Sequence, residues 1–257
     1  MLCKINMRNV LFLLLSLGSL NVYSQDKIEA ERPNESITPK TLSRNTFQAE
    51  FGVRRTRSDE DDKVWRHPNA LLRFGLLDKL ELRLESSFEN QRIYSENKIR
   101  KGLRPVEVGM KVNIIETKNE AFSSSIVGQV GIANLASADH KTENPYHRVR
   151  LLFENKLSEK LKLNYNVGSD WDSEDQEQNW VYSFAPELEL SEKWEAFVEV
   201  FGFVKNDKTP ENVFDAGFSF FPIKSIKIDA SGGVGLNSES PRYFAAVGFS
   251  FRIGSKK

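Results

Sequence analysis

The sequence is poor in the residues that most often carry thiol and metal chemistry. Its 257 residues include one cysteine and three histidines. The cysteine, Cys3, precedes the first apolar segment, so the rest of the chain can form no disulfide and has no reactive thiol. The histidines His67, His140 and His147 are too scattered for the ligand spacing of a zinc site. We therefore expect neither a metal site nor a cofactor.

Net charge and long apolar runs are also lacking. The 36 lysines and arginines are balanced by 36 aspartates and glutamates. No lysine- or arginine-rich run stands out, so a nucleic-acid partner is not expected. Only the N-terminus is apolar enough to resemble a membrane-spanning helix.

That N-terminal segment has the pattern of a secretory signal peptide. Lys4 and Arg8 precede the apolar stretch VLFLLLSLGSL, and Val22 and Ser24 occupy the −3 and −1 positions of a cleavage site before Gln25. The apolar stretch is short for the alternative, an uncleaved anchor helix. Residues 1–24 are thus predicted to be removed, which leaves 34 basic and 36 acidic residues, a net charge of −2.

Alternating polarity is the strongest signal in the remaining chain. It is clearest in the C-terminal stretch YFAAVGFSFRI, residues 243–253. One side of that strand carries Tyr243, Ala245, Val247, Phe249, Phe251 and Ile253, whereas the other carries Phe244, Ala246, Gly248, Ser250 and Arg252. About a dozen such segments of roughly ten residues follow one another, and that length lets a tilted strand cross a bilayer.

The connections between these segments alternate between long and short. The long ones are residues 54–67, 87–105, 133–146, 170–179, 205–212 and 236–241, and the short ones are 76–79, 116–121, 156–160, 191–193 and 222–225. This asymmetry is typical of outer-membrane barrels and disfavours a soluble β-sandwich or a lipocalin-type barrel. Aromatic residues near the segment ends fit an interfacial girdle: Trp65, Trp180, Tyr182, Trp194, Phe220, Phe221 and Tyr243.

The sequence therefore predicts an all-β protein, a closed antiparallel transmembrane β-barrel of about 12 strands. The barrel would comprise residues 46–257, and residues 25–45 would form a periplasmic N-terminal lead. The apolar face would meet lipid and the polar face a lumen, because only a closed sheet pairs every backbone group within a membrane. We expect the protein in the bacterial outer membrane, with the lipid bilayer and lipopolysaccharide as partners.

Several stretches resemble a family of bacterial outer-membrane proteins named after the MetA pathway of phenol degradation. They are Arg32-Pro33, FQAEFG (47–52), RFGLLDKLELRL (73–84), FDAG (214–217) and GLNSESPRYF (235–244). The resemblance implies a membrane barrel with a transporter-like role towards aromatic compounds. The last predicted strand lies close to the C-terminus and ends in Phe251-Arg252-Ile253. This terminal strand resembles the signal that the barrel-assembly machinery reads, so we expect that machinery as a partner.

The polar face supplies the candidate functional residues. They are Arg73, Glu81, Arg83, Glu107, Lys111, Arg148, Arg150, Glu154, Glu187, Glu199, Asp215 and Asp229. In a narrow barrel these side chains would meet across the lumen. Two interpretations remain open: a lining that selects a small, unidentified solute, or a salt-bridged network that stiffens the barrel.

Two other functions compete with passage or binding of solutes. One is a lipid-modifying enzyme, but no histidine has a serine two positions away that could serve as its nucleophile on one strand. His147, on the lipid face near the outer end, would be the candidate base for a serine on a neighbouring strand. The other is a structural barrel with a sealed lumen. We expect a channel-like protein rather than an enzyme.

Overall fold

The computed structural model describes residues 26–58, 63–94, 97–171, 176–205 and 208–254. The predicted signal peptide and Cys3 lie outside these residues. Within them the chain forms thirteen strands and a 3-10 turn at Ala138–His140. The strands are β1 (Phe47–Arg57), β2 (Lys63–Leu77), β3 (Leu80–Ile93), β4 (Lys98–Leu103), β5 (Val106–Glu116), β6 (Phe122–Ile132), β7 (Tyr146–Lys156), β8 (Leu161–Trp171), β9 (Gln178–Ser191), β10 (Trp194–Lys205), β11 (Glu211–Ile223), β12 (Ile226–Gly235) and β13 (Tyr243–Ile253).

Twelve of the strands close into an antiparallel barrel. Neighbouring strands pair in chain order, except that β3 pairs with both β4 and β5. β13 returns to pair with β1 over its whole length, from Phe47 opposite Ile253 to Arg57 opposite Tyr243. This closure confirms the predicted 12-stranded barrel. None of the described residues forms a helix long and apolar enough to cross a membrane.

The residues that alternate in polarity along each strand lie on the two opposite faces of the wall. On β13, Val247 is 58% exposed whereas Ser250 is completely buried. Exposed valine, leucine and phenylalanine side chains cover the outside of the other strands in the same way. The apolar outer surface is the one that hydrocarbon can cover, and the buried polar groups find their partners inside.

The barrel has two unlike ends. Short connections, residues 78–79, 117–121, 157–160, 192–193 and 224–225, lie at one end, which we call the turn end. The opposite end, which we call the loop end, has fewer loop residues and more strand residues than the sequence predicted. Most of residues 54–67 continue β1 and β2, and residues 87–105 contain the end of β3 and all of β4. Parts of the predicted long connections are therefore strands. They extend the wall of the barrel as hairpins at the loop end.

Residues 26–46, here called the lead, lie inside the barrel rather than in the periplasm. The lead enters at the turn end, where the Ile28 amide donates to the Lys224 carbonyl oxygen at 2.8 Å. It reaches Glu199 of β10 near mid-wall. It then returns to the turn end, where the Asn45 amide donates to the Gly75 carbonyl oxygen at 2.8 Å, and continues into β1. The expectation of a periplasmic lead is thus wrong, because its polar groups bond to the buried polar side chains of the wall.

Candidate functional site

The structure places all twelve predicted lining residues on the inner face of the wall. Arg148 and Glu187 are half-buried. The other ten are buried: Arg73, Glu81, Arg83, Glu107, Lys111, Arg150, Glu154, Glu199, Asp215 and Asp229. The lead joins many of them into a common network, for which the sequence carried no local signal.

The densest part of this network lies near the turn end. Arg73 of β2 donates to both Glu81 carboxylate oxygens at 2.8 Å and to Glu50 Oε1 at 3.1 Å. Arg83 of β3 lies 3.2 Å from Glu81 Oε1. Lys111 of β5 lies 3.7 Å from the same carboxylate oxygen. The wall alone therefore brings together three cations and two carboxylates, which leaves one positive charge in excess.

Glu31 of the lead supplies the missing negative charge. Its two carboxylate oxygens accept from Arg83 Nη1 and Nη2 at 2.5 Å, a bidentate arrangement. Lys111 Nζ donates to Glu31 Oε1 at 2.9 Å. Burial alone would raise the pKa of Glu31, but Arg83, Lys111 and Arg73 together hold that pKa well below the ordinary carboxyl range. Glu31 is therefore an anion bound within a cationic pocket of the wall.

Arg32 occupies a recess that glycines create in the wall. Gly52 of β1 and Gly248 of β13 are register partners, and a Cβ atom at either position would overlap the Arg32 guanidinium group. Arg32 Nη2 donates to Asp229 Oδ1 at 3.1 Å, and Asp229 of β12 is the other register partner of Gly248. The absence of two side chains thus provides the space for one arginine of the lead.

The lead makes its deepest contacts at mid-wall. The amides of Glu35 and Ser36 donate to the two carboxylate oxygens of Glu199, both at 2.7 Å. Ile37 exchanges two backbone hydrogen bonds with the side-chain amide of Asn166 at 2.6 and 3.0 Å. The Ile37 side chain packs on Val127, which faces inward from β6. Wall side chains therefore replace the strand partners that the lead lacks.

Two further predicted residues hold the flanks of the lead. Glu187 of β9 accepts from Asn34 Nδ2 at 2.7 Å. Glu154 of β7 lies 3.9 Å from Lys40 Nζ, which also contacts Glu29 of the lead at 3.2 Å. These contacts lie on the side of the lumen opposite β1–β3, so the lead is held from all around the wall.

A second set of charges lines the loop-end half of the lumen. Arg148 of β7 lies 3.3 Å from Glu107 and 3.4 Å from Asp170. Arg150 lies 3.2 Å from Asp170. Tyr146 donates its hydroxyl to Glu107 at 2.9 Å. The predicted residues Arg148, Arg150 and Glu107 are thus brought together, and they are less enclosed than the turn-end network because Arg148 retains 25% side-chain exposure.

The inner face is more aromatic than the sequence suggested. Phe201, Val213 and Phe244 form a buried cluster with Phe203 packed against it. Phe221, expected in the interfacial girdle, is only 2% exposed. A register irregularity between Phe220 and Ile223 accompanies this inward position. The alternation along each strand could have revealed the cluster, because it places these apolar residues on the polar, inward side of their strands.

The described residues offer no support for the catalytic alternative. The register partners of His147 are Val130 and Trp171. The diagonally placed Ser169 donates its hydroxyl to the Asn179 carbonyl oxygen at 3.3 Å instead. No group of three histidine, cysteine or acidic side chains in the described ranges could hold a metal ion.

Comparisons with solved structures show the same fold in outer-membrane proteins. An outer membrane channel from Pseudomonas putida F1 superposes with a TM-score of 0.69 at 10% identity, over 88% of this chain and 100% of that one. The KdgM porin gives 0.58 at 11% identity, over 80% and 99% of the two chains. The NanC porin gives 0.54 at 9%, over 80% and 100%. These neighbours are channels and porins rather than enzymes, and their fold supports an outer-membrane location.

The comparison with curated proteins finds no match. The comparison with protein families finds one that spans almost the whole barrel and most of the lead. Residues 30–253 match the family described as "Putative MetA-pathway of phenol degradation". This confirms the resemblance drawn from the sequence, and the chain belongs to the MetA-pathway family of phenol degradation.

Proposed function

We propose that the protein is an outer-membrane channel for small solutes, aromatic compounds among them, and that its own lead closes it in the state seen here. The observation that carries the proposal is a closed barrel whose polar lumen is occupied, from the turn end to mid-wall, by a segment held mainly through side-chain contacts rather than through a strand ladder. Such a segment can leave without breaking the wall, because the hydrogen bonds between β1 and β13 do not involve it. The family description supports aromatic compounds as solutes.

In this proposal the turn end faces the periplasm and the loop end faces the outside. The signal peptide of residues 1–24 would deliver the chain across the inner membrane. Short periplasmic turns and longer outer connections are the usual arrangement of such barrels. A solute would then meet the charged loop-end half of the lumen first and the lead second.

A reversible crosslink between the lead and the wall tests this closure. Ser36 Oγ lies 2.8 Å from Ser183 Oγ of β9, close enough for Ser36→Cys and Ser183→Cys to form a disulfide after small adjustments. The predicted mature chain has no other cysteine. In planar bilayers, the oxidised double variant should stay closed, and reduction should restore the wild-type conductance.

The two single-cysteine variants, treated with the same oxidant, are the matched controls and should conduct like the wild type. Equal conductance of the oxidised and reduced double variant would show that the lead does not close the lumen. If neither the wild type nor the reduced double variant conducts or admits solutes into liposomes, the sealed structural barrel becomes the better interpretation.

A further inference from the structure

The tip of the lead places one carboxylate between two arginines of the wall. Glu35 Oε2 lies 3.8 Å from Arg54 Nη1 of β1, and Glu35 Oε1 lies 3.6 Å from Arg150 Nη1 of β7. Both guanidinium groups are thus within 4 Å of a single carboxylate. They lie on the side of the lead that faces the loop end, where a solute would arrive.

Glu35 is held much more loosely than Glu31. Neither arginine makes a hydrogen bond to the Glu35 carboxylate, whereas Arg83 binds Glu31 in a bidentate manner at 2.5 Å. The buried Nε atoms of Arg54 and Arg150 have no hydrogen-bond partner among the described residues. Arg150 already donates through Nη2 to Asp170 Oδ2 at 3.2 Å. Because a guanidinium group has five N–H donors, both arginines still have donors available for a carboxylate.

The site is also partly open. The side chains of Glu35 and Arg54 each retain 26% exposure, although Arg150 retains only 4%. Water can therefore reach the Glu35 carboxylate. By contrast, the Glu31 network is enclosed, since Arg83 and Lys111 retain 1% exposure or less.

An apolar cluster adjoins Arg54. The Arg54 guanidinium lies 3.8 Å above the centre of the Phe244 ring. Phe244 packs with Phe201 and Val213, and the half-buried Phe203 lies against them. A planar guanidinium stacked on an aromatic ring, next to further aromatic side chains, suits a ligand that carries both a charged and an apolar part.

We infer that Arg54, Arg150 and this phenylalanine cluster form a binding site for small organic carboxylates that carry an apolar group. This inference rests on the proposed channel function and names a class of solute for it. Glu35 is the resident occupant, and the carboxylate of an entering solute replaces it between the two arginines. The apolar group of the solute then lies against Phe203 and Phe244, where it is removed from water.

Calorimetric titration of the purified, detergent-solubilised protein tests the site without requiring an open channel. Three probes separate the contributions of the ligand: benzoate carries both groups, acetate only the charge, and benzyl alcohol only the ring. Benzoate should bind at least tenfold more tightly than either of the others. Glu35→Gln removes the competing carboxylate and should strengthen benzoate binding roughly tenfold, which corresponds to about 1.4 kcal/mol.

Loss of an arginine should have the opposite effect. Arg54→Gln and Arg150→Gln should each weaken benzoate binding roughly tenfold or more, as expected for a charge-assisted contact. Arg104→Gln is the matched control, because Arg104 pairs with Glu89 at 3.0 Å on another part of the wall, and it should bind benzoate like the wild type. Heat-modifiable gel mobility would establish that each variant is folded.

Two results would overturn the inference: benzoate binding that Glu35→Gln leaves unchanged, or equal binding of benzoate and benzyl alcohol. Should Arg150→Gln fail to fold, the Glu35 and Arg54 variants still decide the matter, because both side chains are partly exposed. Failure of the channel proposal is distinguishable, since the crosslink experiment would then fail while benzoate binding still depended on Arg54.

Discussion

At the scale of single residues, glycine determines where the lead can lie. Gly52 and Gly248 stand opposite each other on β1 and β13, and together they admit Arg32. Gly248→Ala should displace that guanidinium from Asp229, loosen the lead and cost about 1–3 kcal/mol of stability, as overpacking usually does. The measurements are urea unfolding and proteolysis of the lead in the folded protein.

Gly128→Ala is the matched control for that substitution. Gly128 lies on the outward face of β6, and a Cβ atom there would meet no atom within 4 Å beyond its own chain neighbours. The change should therefore shift the unfolding free energy by less than about 0.5 kcal/mol. Similar effects of the two alanines would mean that the Arg32 recess does not hold the lead.

At the scale of the strand, the two faces should respond differently to charge. Val108 faces outward from β5 and is 41% exposed. Val108→Arg puts a cation where hydrocarbon should lie, at a cost of about 2–4 kcal/mol near the bilayer midplane. Val108→Leu, at the same position, should be nearly neutral. Equal stability of the two variants after refolding into lipid vesicles would mean that this face meets water.

The strands could be predicted from the sequence, whereas the lead could not. Each strand shows a local period of two in its sequence, and the polarity of residues such as Val108 and Glu107 is enough to predict which face of the wall they occupy. The lead has no such period, and its polar composition is also that of a solvated linker. Its deepest contact joins Ser36 to Glu199, 163 positions away, so the sequence contains no local sign of it. The loop-end hairpins were missed for a related reason, because charged residues in β4 match the composition of a surface loop.

At the scale of the whole molecule, the lead and the wall pair their charges site by site, since the four acidic residues of the lead are balanced in number by its four basic residues. The partners of the lead lie on all twelve strands of the closed barrel, β1–β3 and β5–β13, among them Glu50, Arg73, Ser183, Phe221 and Asp229. Acids of the lead compensate wall cations, and wall acids such as Glu199 accept its backbone donors. The twelve residues predicted as a lumen lining are therefore, in the closed state, chiefly the binding site of the lead. If the lead leaves the lumen as proposed, the lining and bracing interpretations describe two states of one set of side chains.

Removal of a single carboxylate tests this mutual compensation. Glu31→Gln leaves Arg83 and Lys111 buried with one positive charge in excess. Such an uncompensated charge should destabilise the closed state by about 3–5 kcal/mol. Glu159→Gln makes the same chemical change at an exposed pair with Lys156, where a loss of less than about 1 kcal/mol is expected. Urea unfolding measures the difference, and conductance reports its consequence, because the Glu31 variant should open more often than the wild type. Equal stability of the two variants would indicate that the wall keeps its own charges balanced without the lead.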